Sequence, residues 1–459
     1  MSAEKFAKNS HFICGSKNAA RLIGLIAHDF ENPDFAKYFS GQKNLVGAEP
    51  LAMAYSGHQF GVWARQLGDG RALLLGQVRG KNKKLWDVQL KGSGLTPYSR
   101  MGDGRAVLRS CIREFLCSEA MFALKIPTSR ALCIVGTKEM VQREKMEPGA
   151  ILTRLSESHI RFGHFEHFFY NNRPELVKTL ADYVIQQHYA EKISYENWFA
   201  DIVTRTAKLI ANWQAVGFAH GVMNTDNMSI LGLTLDYGPF GFLEEFDCTF
   251  ICNHSDHSGR YAFDQQPSIA FWNLHALAFA LQPLIPFEKS KEILQEFEPA
   301  LEVEYHQKML QKIGLTKGEE ADKSLLRELL QLMQENKSDY TLTLRSLAGV
   351  VTAAGQKKFL ENFASHEKIK TWLKSYLTRL GDIDKKSHSK NLNQQNPKFI
   401  LRNWVAETAI RAACDQQDYQ PLRDILKILE TPFAEHPKFE AFAGKAPQQL
   451  QNLCVSCSS

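Results

Sequence analysis

The chain has 459 residues, of which 44% are hydrophobic and 23% charged. This is ordinary globular composition, and the length suffices for two or three packed units. The formal charge of +5 is small for this length, which argues against an extended nucleic-acid surface but allows a local basic cluster that gathers phosphates. We therefore expect a nucleotide as partner, and no nucleic acid.

Nine cysteines are scattered through the chain, mostly in apolar contexts, which predicts a reducing compartment and no disulfide framework. Residues 1–20 lack the apolar segment of a secretory signal. Residues 269–287 form the most apolar stretch, but polar residues and Pro283 interrupt it, so we expect a buried helix and no membrane partner. Together these features predict a cytoplasmic protein.

The first predicted elements are strands. Residues 72–78 have the continuous apolar character of a buried strand, and residues 86–91 alternate strictly. The alternation places Trp86 on one face and Lys91 on the other. Two further strands are predicted at 131–135 and 151–155.

Helical spacing begins with residues 105–120, for which Asp103 is the expected N-cap and in which Glu114 lies beside the apolar stripe. Residues 200–216 predict an amphipathic helix that ends near Gly217. The polar run 385–395 is expected to be a surface loop or a domain boundary.

Strands come early in the chain and helices dominate afterwards, which predicts an α+β fold with a small sheet-rich lobe followed by a larger helical lobe. A ligand would lie in the cleft between the two lobes. The predicted units are an N-terminal extension and sheet-rich lobe at 1–155, a helical lobe at 156–300, and a helical C-terminal extension at 301–459.

Gly68-Asp69-Gly70-Arg71 is a tight turn that enters a strand. Glycines in such a turn let backbone N–H groups approach a phosphate closely. A plain hairpin turn is the alternative for this segment alone.

Lys91 on a strand, followed by Glu114 on the next helix, is the order in which kinase folds hold a lysine with a helix glutamate. Such a pair directs an ammonium group at phosphate oxygens. The alternative is a surface lysine with a solvated glutamate.

The segment from His220 to Asn227, followed by Asp236-Tyr237-Gly238, is similar to a kinase catalytic loop and its metal-binding turn. Val222 stands where that template has its base, so Asp226, the carboxylate within the loop, becomes the candidate proton acceptor. Asn227 and Asp236 offer hard oxygen ligands suited to Mg²⁺. The alternative is a connection whose Asp and Asn serve turn formation.

Arg154 and Arg161 could reach the same cleft, because guanidinium groups suit bidentate phosphate contact, although as isolated arginines they would be surface residues. The His-rich segments 164–167 and 253–257 lack a zinc-site pattern, and we expect structural hydrogen bonding there. Near the C-terminus, Cys454 and Cys457 form a C-x-x-C pair.

A C-x-x-C pair on a free chain end suggests redox chemistry. We predict that Cys457 can oxidise onto a thiol of the segment after Asp236, for instance Cys252. The alternative is a pair of thiols without a role.

Taken together, these residues resemble the selenoprotein O family, which comprises protein adenylyltransferases of pseudokinase fold. The resemblance covers nearly the whole chain. Its blocks lie at 55–61, 66–72, 90–119, 161–167, 217–242, 251–263, 396–397 and 401–403.

The resemblance implies a protein-kinase-like bilobal fold in which ATP lies flipped, so that AMP is transferred to Ser, Thr or Tyr hydroxyls and pyrophosphate is lost. It implies Asp226 as proton acceptor, Asn227 and Asp236 on the metal, and protein substrates that include redox-related proteins and the enzyme itself. The resemblance also implies that Asp236 contacts the nucleotide. The implied nucleotide contacts are Gly68, Gly70, Arg71, Lys91, Asp103, Gly104, Arg154 and Arg161.

Members with selenocysteine carry it third from the C-terminus, where this chain has Cys457; with the compact length, this suggests a bacterial origin. Three alternatives stay open at this point. They are ordinary phosphoryl transfer with ATP unflipped, use of UTP or Mn²⁺ in place of ATP and Mg²⁺, and an inactive nucleotide-binding scaffold.

Overall fold

The computed structural model describes residues 10–191, 193–450 and 453. The first third of this part of the chain contains an antiparallel sheet, and helices make up most of the remainder. The strands are β1 (His11–Gly15), β2 (His58–Gln59), β3 (Val62–Trp63), β4 (Ala72–Arg79), β5 (Leu85–Lys91), β6 (Ala106–Val107), β7 (Arg130–Gln142), β8 (Met146–Ser156), β9 (Phe218–Ala219) and β10 (Gly241–Phe242).

Most of the helices follow the sheet. They are α1 (Lys17–Leu22), α2 (Phe35–Phe39), α3 (Leu108–Ala123), α4 (Phe162–Tyr170), α5 (Pro174–His188), α6 (Tyr195–Val216), α7 (Gln266–Ala280), α8 (Phe287–Leu294), α9 (Phe297–Lys312), α10 (Glu320–Asn336), α11 (Tyr340–Ser346), α12 (Ala353–Leu360), α13 (Glu367–Leu380), α14 (Lys385–Gln395), α15 (Asn403–Gln416) and α16 (Gln420–Leu429). The α+β class, with an early antiparallel sheet and a larger helical part, is confirmed; the division into three units stays a prediction.

The main sheet has the order β1-β7-β8-β5-β4, and the short β6 also pairs with β8. The predicted alternation in β5 is confirmed. Trp86, Val88 and Leu90 pack into an apolar cluster with α1 and α2, while Gln89 and Lys91 are buried on the opposite face. The sheet therefore presents one apolar face and one polar face.

The predicted start of the helix at 105 and its cap at Asp103 are wrong. Ala106 and Val107 pair with β8 as strand β6, so α3 begins only at Leu108 with Val107 as N-cap. The Asp103 carboxylate instead accepts a hydrogen bond from the Arg105 backbone N–H at 2.9 Å.

The predicted helix at 200–216 and its end are confirmed within α6. Ser194 caps its N-terminus by accepting from the Asn197 N–H at 3.2 Å, and Gly217 ends it in the left-handed region at φ +70°, where glycine has no Cβ penalty. The predicted buried helix in 269–287 corresponds to α7, which ends before Pro283. Among the described residues, no helix is long and apolar enough to cross a membrane.

The prediction of a loop at 385–395 is wrong, because these residues form α14. Asp384 caps the helix by accepting from the Ser387 N–H at 2.7 Å. His388 and Leu392, one turn apart, are both buried. Capping and two buried side chains outweigh the poor apolar content of the segment.

Helices α15 and α16 return to pack against α3, so the end of the chain supports the helix next to the sheet. Arg113 of α3 donates to the Phe240 carbonyl at 2.9 Å and to Asn403 Oδ1 at 3.3 Å. Arg402 is buried and pairs with Asp339 at 2.9 Å and Glu244 at 2.5 Å. Losing one partner of such a buried pair is strongly destabilising. The Arg113 contacts hold α3 to the helical part, and the Arg402 pairs fix the start of α15.

Lys312, the last residue of α9, is buried, and no carboxylate of the described part of the chain pairs with it. Its Nζ donates to the Gln395 carbonyl at 3.3 Å and to Asn396 Oδ1 at 3.4 Å. Burial lowers the pKa of Lys312 to about 7, and repulsion from Lys308 acts in the same direction. The native protein therefore binds this proton more weakly than an unfolded chain does.

We expect Lys312→Met to raise the free energy of unfolding at neutral pH by roughly 2–4 kcal/mol, because the desolvated amine is removed. Between the lowered pKa of about 7 and the ordinary value of 10.5, the unfolded wild-type chain binds more protons than the native protein, so wild-type stability rises with pH. The difference between variant and wild type should therefore shrink as pH rises. Denaturant unfolding at about pH 7 and about pH 9.5 measures it.

The matched control is Lys323→Met, because Lys323 lies at the surface of α10 in an ion pair with Glu320 at 3.7 Å. Its effect should stay within about 0.5 kcal/mol at both pH values. A stability difference for the Lys312 variant that does not change with pH would contradict the lowered pKa.

Candidate active site

A cleft of about 760 Å³ opens between the polar face of the sheet and the helical part. It is lined by glycines and charged residues from several segments that are distant in sequence. The sequence-predicted residues that line it are Gly68, Gly70, Arg71, Lys91, Asp103, Gly104, Arg154, Arg161, Asp226, Asn227 and Asp236. Glu114 lies behind this lining and contacts Lys91.

Lys91 at the end of β5 forms an ion pair with Glu114 of α3 through Nζ and Oε2. Both side chains are nearly buried, with relative exposures of 10% and 3%. Burial lowers the pKa of Lys91, and the Glu114 carboxylate opposes that shift. The other oxygen of Glu114 accepts from Arg154 at 3.2 Å. Glu114 thus aligns two cations toward the cleft.

Asp236 lies between two buried arginines. Arg154 donates to its Oδ1 and Arg161 to its Oδ2. Burial by itself would raise the pKa of Asp236, but Arg161, Arg154 and Lys91 together hold it well below its usual range. The residue has a left-handed backbone at φ +55°, which is uncommon for a residue with a Cβ. The ion pairs therefore fix an ionised carboxylate at the floor of the cleft.

Asp226 lies in the short 3₁₀ turn Thr225–Asn227. Its Oδ2 accepts from Gln59 Nε2 at 3.1 Å, while its buried Oδ1 has no hydrogen-bond partner among the described residues. Burial raises the pKa of Asp226 to about 6, against the attraction of Arg161. A carboxylate whose pKa is raised in this way, in a residue that lines a cleft, can accept a proton from a bound group.

The loop that carries Asp226 is held from both sides. His220 stacks on Trp213 with ring centroids 5.2 Å apart, and its Nε2 lies 2.9 Å from the Leu235 carbonyl, next to Asp236. Asn227 Nδ2 donates to the Val222 carbonyl at 2.9 Å, so its Oδ1 points toward Arg161 at 3.4 Å. These bonds bring the two predicted metal ligands to one guanidinium group.

The donor set fits a hard divalent cation. Asn227 Oδ1 and Asp236 Oδ2 approach the same Arg161 nitrogen, so two oxygen ligands lie side by side. The described residues contain no group of three or more His, Cys, Asp or Glu side chains that could hold a metal. A cation here would therefore depend on water and nucleotide phosphates for its other ligands, as Mg²⁺ commonly does.

Close packing explains the glycines of the cleft. A Cβ on Gly68, at φ +136°, would lie 2.5 Å from Tyr98 Cγ, and one on Gly104, at φ +67°, would lie 2.1 Å from the Gly94 carbonyl oxygen. Asp69 between the glycines is buried and accepts from Gln89 Nε2 at 3.1 Å. The first loop thus packs tightly against residues 94–104.

Asp103, in the segment 94–104, extends toward the solvent and forms an ion pair with Arg143 at 2.7 Å. This contact, mainly through its hydrogen bonds, lowers the pKa of Asp103. Arg143 was not among the sequence-predicted residues, because a single arginine in a polar hairpin carries no recognisable pattern. Gln59 was also missed as a site residue, although it lies in the block 55–61.

The His-rich segments use their polar atoms within packed structure, the first in α4 and the second in a loop. Glu166 is fully buried and lies 2.6 Å from His58 Nδ1, and His164 Nδ1 accepts from the Arg161 N–H at 3.0 Å. In the second segment Asp256 accepts from the N–H groups of Arg260 and Tyr261 at 3.0 and 2.7 Å. Both segments therefore hold the loops around the cleft.

Cys252 is buried beside the catalytic-loop segment, and a Cβ on Gly221 would approach its Sγ to 2.6 Å. Cys454 and Cys457 lie outside the described residues, so the predicted crosslink stays a prediction. Burial raises the pKa of both Cys111 and Cys133 to about 12, as expected for unreactive core thiols.

Residues 1–430 match the family model described as "Protein adenylyltransferase SelO". The chain belongs to this family. Similar proteins named "Protein nucleotidyltransferase YdiU" occur in Yersinia pseudotuberculosis, with 49% identity over 458 residues that cover 98% of this chain and 94% of the relative. In Myxococcus xanthus the identity is 48% over 450 residues, covering 96% and 92%. In Pseudomonas fluorescens it is 48% over 454 residues, covering 97% and 93%.

We expect Gly104→Ala to weaken ATP binding about tenfold, because a Cβ at this backbone conformation adds roughly 1–2 kcal/mol of strain and displaces the loop. Isothermal titration calorimetry with ATP and Mg²⁺ measures this change. Gly102→Ala is the matched control two residues away. Its φ is not left-handed and its Cβ would meet only the Ser99 carbonyl at 3.1 Å, so its affinity should stay near wild type. Equal affinities for both variants would contradict a role of this loop in binding.

Proposed function

We propose that this protein transfers AMP from ATP to Ser, Thr or Tyr hydroxyl groups of proteins, with release of pyrophosphate. The observation that carries the proposal is the carboxylate residue Asp226, which lines the same cleft as Lys91, Arg154 and Arg161. Transfer of a nucleotidyl group to an alcohol requires at least a proton acceptor and cations that bind the phosphates. Membership in the SelO family supports the same reaction.

We propose further that the chain has a protein-kinase-like bilobal arrangement, with lobes at 1–155 and 156–300 and an extension at 301–459. The strand lysine paired with a helix glutamate supports this arrangement. So does the order of the loop with Asn227 and the turn with Asp236. The helices α15 and α16 would then be an addition that fixes α3.

Asn227 and Asp236 would hold Mg²⁺, or Mn²⁺, which when bound supplies positive charge to the phosphate oxygens. Lys91, aligned by Glu114, would contact the phosphates as a point charge. Arg154 and Arg161 would exchange part of their contact with Asp236 for phosphate oxygens, which suit their planar geometry. The phosphates would therefore contact several positively charged side chains in the cleft without any change in the fold.

Asp226 would take the proton of the acceptor hydroxyl as its oxygen forms a bond to the α-phosphorus. The bond between the α-phosphorus and the oxygen leading to the β-phosphate breaks, and pyrophosphate leaves with that oxygen. With Val222 in the position of the usual kinase base, a flipped nucleotide would bring the α-phosphorus next to Asp226.

We expect incubation with ATP and Mg²⁺ to add AMP to a protein substrate or to the enzyme itself, as detected by intact-mass and peptide mass spectrometry. The same assay with UTP and Mn²⁺ compares UMP transfer. Redox-related proteins are the first candidate substrates to supply. Addition of phosphate alone would replace our proposal with ordinary phosphoryl transfer, and absence of any adduct would favour a binding scaffold.

Two substitutions test the assigned roles. Asp226→Asn should lower kcat by about 10²- to 10⁴-fold and change ATP affinity little, because it removes the proton acceptor. Asp236→Ala should abolish metal-dependent transfer in a folded protein, because one of two metal ligands is lost. Asp264→Asn is the control, since Asp264 is exposed and away from the cleft lining. Full activity of either site variant in the transfer assay would show that the carboxylates are wrongly assigned.

A further inference from the structure

The hairpin formed by β2 and β3 covers the loop that carries Asp226. We propose that Gln59 on this hairpin is a positioning residue for Asp226, which fixes the orientation of the carboxylate through a hydrogen bond to Oδ2. This inference rests on the proposed function and names a residue that the proposed reaction did not use.

The two oxygens of Asp226 have different surroundings. Oδ2 accepts a hydrogen bond from Gln59 Nε2 at 3.1 Å. Oδ1 is buried, lies in a cleft-lining residue, and has no hydrogen-bond partner among the residues that the structure describes. Because Oδ1 has no donor among the described residues, the hydrogen bond from Gln59 to Oδ2 fixes the orientation of the carboxylate.

The backbone on both sides of Gln59 is anchored to the same loop. The His58 N–H donates to Thr225 Oγ1 at 2.7 Å, and the Phe60 N–H donates to Asn224 Oδ1 at 3.2 Å. Tyr261 joins them, because its hydroxyl donates to Asn224 at 2.6 Å and accepts from Phe60 at 3.0 Å. Gln59 therefore has a fixed origin relative to Asp226.

The chain before Gln59 is packed against the loop as closely as backbone allows. A Cβ on Gly57 would lie 2.9 Å from Thr225 Oγ1 and 3.0 Å from Asp226 Oδ1. The His58 ring is held by the fully buried Glu166 at 2.6 Å. The hairpin therefore cannot withdraw from Asp226 without breaking several buried contacts.

A neutral amide is a fitting donor for this task. An arginine or lysine would also orient the carboxylate, but a cation at this distance would favour the ionised form and weaken its ability to take a proton. The Gln59 amide orients Asp226 without adding charge.

The test compares Gln59→Leu and Gln59→Glu with wild type in the transfer assay. Both variants keep the approximate side-chain size, but the first lacks the donor and the second places a carboxylate against Asp226. We expect kcat to fall about 10- to 100-fold for Gln59→Leu and at least as far for Gln59→Glu, within the range of base catalysis. The KM for ATP and the melting temperature should stay near wild type, since Gln59 acts only on the base.

Val62→Ala is the matched control, because Val62 lies on the same hairpin with 69% relative exposure and should leave kcat unchanged. Wild-type kcat in both Gln59 variants would overturn the proposal. A Gln59→Glu variant more active than Gln59→Leu would also overturn it, because that ranking indicates a packing role. Parallel loss of ATP affinity and melting temperature would do the same.

The assay follows whichever group the wild-type enzyme transfers. Transfer of phosphate would therefore overturn the proposed function while the Gln59 variants still test positioning of the base. Absence of transfer by the wild type would overturn both proposals. The two failures are thus distinguishable.

Discussion

Two buried arginines share one carboxylate, and the form of the cleft depends on this shared ion pair. Arg154 and Arg161 reach Asp236 from β8 and from the N-terminus of α4. Glu114 extends the cluster to Lys91. Three cations thus face two carboxylates in a poorly solvated place, so the cluster itself carries an excess of positive charge. Burying unbalanced charge is costly, and an anionic ligand such as a phosphate chain relieves that cost.

The rest of the fold keeps this cluster in register. The sheet positions Lys91 and Arg154 on adjacent strands, since β5 pairs with β8. Helix α3 brings Glu114, and α15 and α16 hold that helix from behind. The Lys91–Glu114 pair is therefore supported by the C-terminal helices. A buried network of this kind is most stable when every member has its hydrogen-bond partners. The packing around α3 keeps Glu114 in contact with Lys91 and Arg154.

Asp226 lies beside the arginine cluster, and its backbone carbonyl accepts from Arg161 at 2.7 Å, but the surroundings of its carboxylate differ from those of Asp236. Burial acts against its ionisation, and its hydrogen-bond donor is a neutral amide from Gln59. Asp236, in contrast, is surrounded by cations that keep it ionised. The environments of these two carboxylates, which lie on neighbouring loops, therefore shift their pKa values in opposite directions. Such a difference is the usual basis for assigning one carboxylate to proton transfer and the other to charge stabilisation.

The amino-acid sequence by itself determined the α+β class, the main strands, α6 with its glycine end, and eleven of the residues that line the cleft. These depend on local periodicity and on ordered motifs, which a linear pattern records. The sequence prediction misplaced the cap at Asp103 and assigned a loop to residues 385–395, where the structure has α14. Both errors arise because strand pairing by β6 and burial of His388 are long-range events. Only the tertiary structure decided that Gln59 touches Asp226. That contact joins residues far apart in the chain, and no local propensity encodes the distance between them.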